Sequence, residues 1–358
     1  MSRRLVLILC ACLTLAAYAP TWRAGFVYED LRVVMGTPIV QQQAPWNWRD
    51  LRSLSILSFR LNHALDGNNP RGYHAVNVCV HLVNGMLVFL LAESLIGGWG
   101  AVAAAGLFWL APIQTESVAY LAGRTELLAA FCVLLATVLA LRLSLGRSCV
   151  LVPLVLLAGL LTKETAAVGF LLVPLVAWVQ LPDLRTTVWR HGTLALEVLI
   201  GVAVVGAIAA WLLRPVLHLD QGALGNERSL LGYWSIQSWA IGRYVVEAFI
   251  PIGLTIDHDF ELMPHALAYL AFADLIALAI WTWHVRISKP LIACSLAWVL
   301  LALLPRMLVR IPEYANEHQM YLPFVGLWFL AGMGVNRWVP WREEAAAFRA
   351  WWSQELSG

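Results

Sequence analysis

Two adjacent carboxylates, Glu29 and Asp30, stand just after the first apolar run of the chain. Neighbouring acids can serve one as general base and one as orienting group, or can share a metal; taken alone, the dipeptide reads first as the start of a solvated loop. Four basic residues, Arg124, Lys163, Arg243 and Arg310, lie close to the ends of apolar runs. Any one of them can snorkel to lipid headgroups. Several converging beside acids are better explained as a site for an anionic ligand, since ionisable groups at membrane depth usually line a cavity. Acids are at hand: Glu116 and Glu126 flank Gly123-Arg124, where an internal ion pair is the plain alternative, and Glu164 follows Lys163. Thr162 before that pair suits a helix N-cap.

Such residues need membrane helices to position them. Apolar runs mark helices at Leu5 to Ala19, Ala75 to Leu95, Ala101 to Ile113, Leu127 to Leu143, Cys149 to Leu161, Ala166 to Leu181, Leu194 to Leu213, His265 to Trp283, Leu291 to Leu308 and Tyr321 to Val335. The expectation is an all-α membrane protein with about ten transmembrane helices, each crossing a ~30 Å hydrocarbon core. Arg3-Arg4 before Leu5 to Ala17 resembles a secretory signal, but Pro20 after Ala17-Tyr18-Ala19 disfavours cleavage, so the first helix is expected to stay with its N-terminus in the cytoplasm. Short cytoplasmic loops then carry Arg142 with Arg147, Arg185 with Arg190, Arg286 with Lys289 and Arg337 with Arg342, the positive-inside pattern.

On that topology residues 1–337 form one membrane domain, with a first outer loop at 21–74, a second large outer region at 214–264 and a short cytoplasmic tail at 338–358. Leu230 to Ile250 carries Gln237, Arg243 and Glu247 at roughly helical spacing and is expected to lie at or dip into the outer interface. The stretch from Trp48 to Leu65 has a similar amphipathic character.

Composition narrows the classes. Of the 358 residues 60% are hydrophobic and 13% charged, and the mean hydropathy is +0.72, so the chain needs lipid as its solvent. A net charge of +2, with no basic run interleaved with aromatics, sets nucleic acid aside as a partner. The six cysteines form no CxxC pair and read as inert packing residues.

The motifs resemble a known family. Gly25-Phe26-Val27-Tyr28-Glu29-Asp30, Arg52-Ser53-Leu54 with Ser58-Phe59-Arg60-Leu61-Asn62, and Gly72-Tyr73-His74 with Asn77 and His81 resemble the GT-C membrane glycosyltransferases. More narrowly they are similar to the protein O-mannosyltransferase-like enzymes that often carry tetratricopeptide repeats. The resemblance continues through Ala111 to Ala119, Gly123-Arg124-Thr125-Glu126-Leu127-Leu128 and Leu161-Thr162-Lys163-Glu164, with weaker echoes at Arg243-Tyr244 to Asp257-His258-Asp259 and at Glu317-His318-Gln319 to Pro323.

The resemblance implies a GT-C multi-pass bundle with outer-face interfacial helices, a polyprenyl-phosphate-linked sugar donor, inverting transfer, and a catalytic acid in the first outer loop, here Glu29 or Asp30. It implies a hexosyltransferase acting on a protein, glycan or lipid acceptor hydroxyl, from a bacterial inner membrane with the site facing the periplasm. One acid would take the acceptor proton. The leaving phosphodiester needs charge stabilisation more than protonation, which Arg124, Lys163 and Arg52 would supply. Glu116, Glu126, Arg243 and His318 are expected to bind substrate or support the site. A divalent metal bridging phosphate and carboxylate is compatible with this set, and no residue specifies one.

Three departures weigh against a full transfer of the pattern. Ala111 and Gln114 stand where the family has histidines, Ser53 stands where it has proline, and no tetratricopeptide repeats follow. Two rival readings remain. A transporter or lipid-carrier flippase would show internal symmetry and matched broken helices, which the sequence lacks. A catalytically silent homologue fits the altered histidines.

Overall fold

The computed structural model describes residues 2–47, 50, 52–180, 230–252, 265–308 and 316–339. Among them the chain is all-helical. The helices are α1 Arg3–Tyr18, α2 Ser53–Asp66, α3 Pro70–Leu95, α4 Gly98–Leu110, α5 Thr115–Ala119, α6 Arg124–Arg142, α7 Leu145–Leu160, α8 Gly169–Gln180, α9 Leu230–Phe249, α10 His265–Val285, α11 Pro290–Ala302, α12 Leu304–Leu308 and α13 Phe324–Trp338. Nine of the ten apolar runs are helical here; the tenth, Leu194 to Leu213, lies outside the described residues.

Four of these segments are long and apolar enough to cross a membrane: Arg3–Arg23, Pro70–Leu95, Leu121–Arg142 and Ala266–Val285. The expectation of about ten full spans is therefore met by fewer long helices and several short ones, Gly98–Leu110 and Pro290–Ala302 among them. The reason is local: a 13-residue helix such as α4 rises only about 20 Å, and the run Leu291 to Leu308 is divided at Leu303 into α11 and α12. The chain is an integral membrane protein of the all-α class.

The α3–α4 corner falls between the runs Ala75 to Leu95 and Ala101 to Ile113. Gly97 and Gly98 both have left-handed φ, 63° and 62°, which reverses the chain within two residues. Small residues along α4 then admit α13: a methyl at Gly332 would collide with the carbonyl of Gly100. Asn336 completes the seam, accepting from Gly100 N at 2.7 Å and donating to Ile96 O and Gly97 O at 3.1 and 3.0 Å. Close small-residue contact with a polar side chain across it is how helices associate where lipid removes the hydrophobic drive.

Inside the bundle a polar chain fixes α3 against the turn before α13. His81 Nε2 lies 3.1 Å from the carbonyl of Trp109, so that nitrogen carries the proton; Nδ1 then accepts from Tyr321 OH at 2.8 Å, and Tyr321 OH accepts from Asn84 at 3.2 Å.

In α9 the polar stripe is turned inward, with Gln237 and Glu247 buried and Gln237 accepting from Arg306 Nε at 2.7 Å, while Trp234 stacks on Phe272 of α10. In α2, Ser53, Ser55, Phe59 and Asn62 are buried while Leu61 and Leu65 are exposed, the polarity suited to a helix at a lipid surface. Trp48 lies outside the described residues.

Candidate active site

The end of α1, the starts of α3, α6 and α8, the end of α7 and the start of α13 all lie at one end of the bundle. Arg3, paired with Glu93, and Arg142 lie at the opposite end. A cavity of about 290 Å³ opens at the first end, lined by residues that include Glu29, Arg32, Arg52, Tyr120, Thr125, Lys163 and His318. Residues from both halves of the sequence thus share one wall.

The first outer loop is pinned there by specific bonds. Leu54 N donates to Leu161 O and Ser55 Oγ to Thr162 O, each at 2.9 Å, which docks the start of α2 on the α7–α8 corner. Arg52 enters α2 with φ 67°, and Tyr28 precedes Glu29 with φ 47°. Left-handed backbone at non-glycine residues costs about 1–3 kcal/mol each, and here it precedes Glu29 and carries Arg52, both on the cavity wall. Arg60 donates to Ile39 O and Ala44 O, both at 2.8 Å, and holds the returning limb of the loop.

Glu29 and Asp30 take separate places. Asp30 is 1% exposed; Oδ1 accepts from Ala122 N at 2.7 Å and Oδ2 from Val27 N at 3.2 Å. Burial pushes its carboxyl up to about 6, against the pull of those N–H donors, with Glu29 adding to the rise. Glu29 lines the cavity, its backbone N–H donating to Tyr120 OH at 3.0 Å and its carboxylate paired with Arg32, three residues on. That pair is largely exposed and worth at most about 1 kcal/mol, so Glu29 can exchange Arg32 for a substrate group.

The basic residues also divide. Arg52 lines the cavity and makes a two-point contact with Glu164, at 3.2 and 2.7 Å. Lys163 lines it too, 2.6 Å from Glu126 Oε1, whose other oxygen accepts from Thr165 at 3.0 Å. Arg124, expected to bind phosphate, is placed otherwise: it is fully buried and absent from the cavity wall. Its Nε donates to Asn77 at 2.8 Å, its terminal nitrogens donate to Tyr73 O at 2.9 Å and Ser58 O at 3.4 Å, and the guanidinium lies 4.4 Å from the Phe59 ring centroid. A guanidinium bonded to two carbonyls and an amide, with an aromatic face over it, is a tie between α2, α3 and α6. Arg243 pairs with Glu247 along α9 and is likewise absent from the wall. Arg310 and the segment Asp257-His258-Asp259 lie outside the described residues.

Glu116 and His318 meet across 202 positions: Glu116 Oε2 accepts from His318 N and Oε1 contacts His318 Nδ1, each at 2.8 Å. Sequence reasoning missed Arg32, Tyr120 and Thr125 on the wall; the spacing of three between Glu29 and Arg32 is the one signal that could have marked the first. Gln114 is buried. Among the described residues no group of three or more His, Cys, Asp or Glu side chains is gathered to hold a metal.

Comparison with known proteins bears on this arrangement. The chain is 39% identical over 187 residues, 46% of its length, to the Protein O-mannosyl-transferase Tmtc1 of Drosophila melanogaster. Its homologues are protein O-mannosyl-transferases. The fly Tmtc2 is 34% identical over 199 residues and human TMTC2 36% over 132, the latter 32% of this chain. The match spans about a fifth of the length of the two fly proteins, 21% and 20%. No family model matches the chain, and no solved structure does.

Proposed function

We propose that the protein is a membrane glycosyltransferase that moves a sugar, mannose by the names of its homologues, from a polyprenyl-phosphate donor to an acceptor hydroxyl, with inversion. The observation that carries this reading is the meeting of Glu29, Arg52 and Lys163 on one cavity at one end of a membrane bundle. A lipid-linked sugar keeps its tail among the helices and its phosphate at their ends, where the two cations stand. The face is the one opposite the N-terminus of α1, outer or lumenal. The relatives found are animal proteins, so they lend nothing to a bacterial inner membrane.

In this mechanism Glu29 takes the proton of the acceptor hydroxyl as its oxygen attacks the anomeric carbon from the face opposite the phosphate. Asp30, with both oxygens committed to backbone N–H groups, sets the position of the loop that carries Glu29. Arg52 offers a planar fork and Lys163 a point charge to the phosphate. Arg52 is paired with Glu164 and Lys163 with Glu126, so donor binding exchanges one anion for another rather than placing a new charge among bare cations.

The acceptor is a protein, glycan or lipid hydroxyl. The test is reconstitution in nanodiscs with a radiolabelled short-chain polyprenyl phosphomannose, following label from the lipid phase into water-soluble product. Transfer by the parental protein supports the reading. A protein that moves the intact donor across vesicles without cleaving it is a flippase, and one that binds donor without turnover is a silent homologue; either outcome contradicts it.

A further inference from the structure

The reaction has two proton events, and the cavity holds two groups able to carry them. When the sugar leaves, a lipid phosphodiester with one negative charge becomes a monoester whose second ionisation lies near pKa 6. The developing second charge needs either a fixed cation or a proton. Arg52 and Lys163, each already paired with a glutamate, offer the phosphate fixed charge, and Arg52 cannot give up a proton. Histidine is the side chain whose ordinary pKa of about 6.5 matches that of the departing monoester, the condition under which proton transfer is most effective.

His318 is built for that task. Its backbone N–H and Nδ1 are both held by the two oxygens of Glu116, and Ser117 Oγ donates to its carbonyl at 3.3 Å. The ring therefore has one orientation and one available nitrogen: Nδ1 faces Glu116, and Nε2 has no partner among the described residues. The side chain is partly exposed where the residue lines the cavity, while that of Glu116 is buried. A carboxylate behind one ring nitrogen orients the imidazole and neutralises the charge it carries when both nitrogens are protonated.

We propose that His318, positioned by Glu116, is the general acid that hands a proton from Nε2 to the leaving lipid phosphate. The inference rests on the glycosyltransferase reading. The bond from the anomeric carbon to phosphate oxygen breaks with its electron pair on oxygen, which takes the Nε2 proton. The bond from the anomeric carbon to acceptor oxygen forms as Glu29 takes the hydroxyl proton. A water-mediated return from Glu29 to Nε2 resets both groups, so the acceptor proton ends on the lipid monoester.

The test compares two donors on the full-length protein in nanodiscs. One is a short-chain polyprenyl phosphomannose. In the other, a difluoromethylene group replaces the lipid's bridging oxygen, which lowers the second pKa of the leaving group. His318→Gln should lose about 100-fold in kcat on the first donor, and at least tenfold of that loss should disappear on the second. Glu116→Gln should show the same trend with a smaller loss, and provides the second arm should His318→Gln fold poorly. Glu29→Gln, which affects the acceptor proton, should lose equally on both donors. Parental turnover in His318→Gln and Glu116→Gln, or a loss equal on the two donors, overturns the general acid while leaving the transferase reading intact. A parental protein that cleaves neither donor overturns both.

Discussion

Lys163 Nζ lies 2.6 Å from Glu126 Oε1, and both side chains are about nine-tenths buried. Removing one partner of such a pair leaves the other charge without compensation, at about 3–5 kcal/mol. Lys163→Ala should therefore lower stability in detergent by that order and lose activity mainly for that reason. Lys163→Met with Glu126→Gln should recover most of the stability while leaving the donor KM raised. Thermal unfolding of the three proteins checks this, and a Lys163→Ala protein as stable as the parent would show that Glu126 is not charged in the fold.

Arg52 and Arg124 separate binding from scaffolding. Arg52 is on the cavity wall and partly exposed, so Arg52→Ala should raise the donor KM roughly tenfold or more with little change in unfolding temperature. Arg124→Ala removes hydrogen bonds from a charged group to two carbonyls and Asn77, together with a desolvated contact on Phe59. It should destabilise by several kcal/mol. Stability and kinetics measured side by side should sort the two; a stable Arg124→Ala protein with a purely KM defect would restore Arg124 to the phosphate site.

Asp30 links pH to stability with a defined sign. Its carboxyl is raised to about 6 in the fold from an ordinary 3.8, so the folded state holds the proton more tightly than the unfolded one. The contribution is full below about pH 4, falls as pH rises through 4 to 6, and is lost above 6. Asp30→Asn cannot ionise but gives up one acceptor, so its cost should be larger at pH 4.5 than at pH 7, with a difference on the order of 2 kcal/mol. Unfolding of parent and variant at the two pH values measures it, and a cost independent of pH would contradict the raised value.

The seam between α4 and α13 gives a packing prediction with its own control. Gly332→Ala puts a methyl into the backbone of Gly100 and should cost about 1–3 kcal/mol. Gly334→Ala, two residues on in the same helix and facing open space, should be neutral or slightly stabilising. Equal unfolding temperatures for the two would rule out the close approach.

The helices are legible because apolar runs leave a membrane segment few alternatives, and nine of the ten runs are helical where described. What is not legible is where they break. The break at Gly97-Gly98 falls between the runs ending at Leu95 and starting at Ala101, but the run Leu291 to Leu308 gives no sign that Leu303 divides it into α11 and α12. Of the four basic residues at the ends of apolar runs, Lys163 is on the cavity wall, Arg124 and Arg243 are not, and Arg310 lies outside the described residues. Adjacency cannot tell that Ala122 N–H takes the Asp30 carboxylate and leaves Glu29 to the cavity. Nor can it tell that Arg124 turns back to the carbonyls of Tyr73 and Ser58, since those partners are set by how α2 and α3 pack. The Glu116–His318 contact, formed across 202 positions, needs the fold to be seen at all.

The central claim is that Glu29, facing the cavity, is the base for sugar transfer while Asp30 holds its loop. Turnover of a polyprenyl phosphomannose by Glu29→Gln, with folding verified by thermal unfolding, tests it most directly. The predicted result is a fall in kcat of about 100-fold or more, an unfolding temperature close to the parent's, and little change in donor KM. Transfer by Glu29→Gln at near the parental rate would contradict the claim.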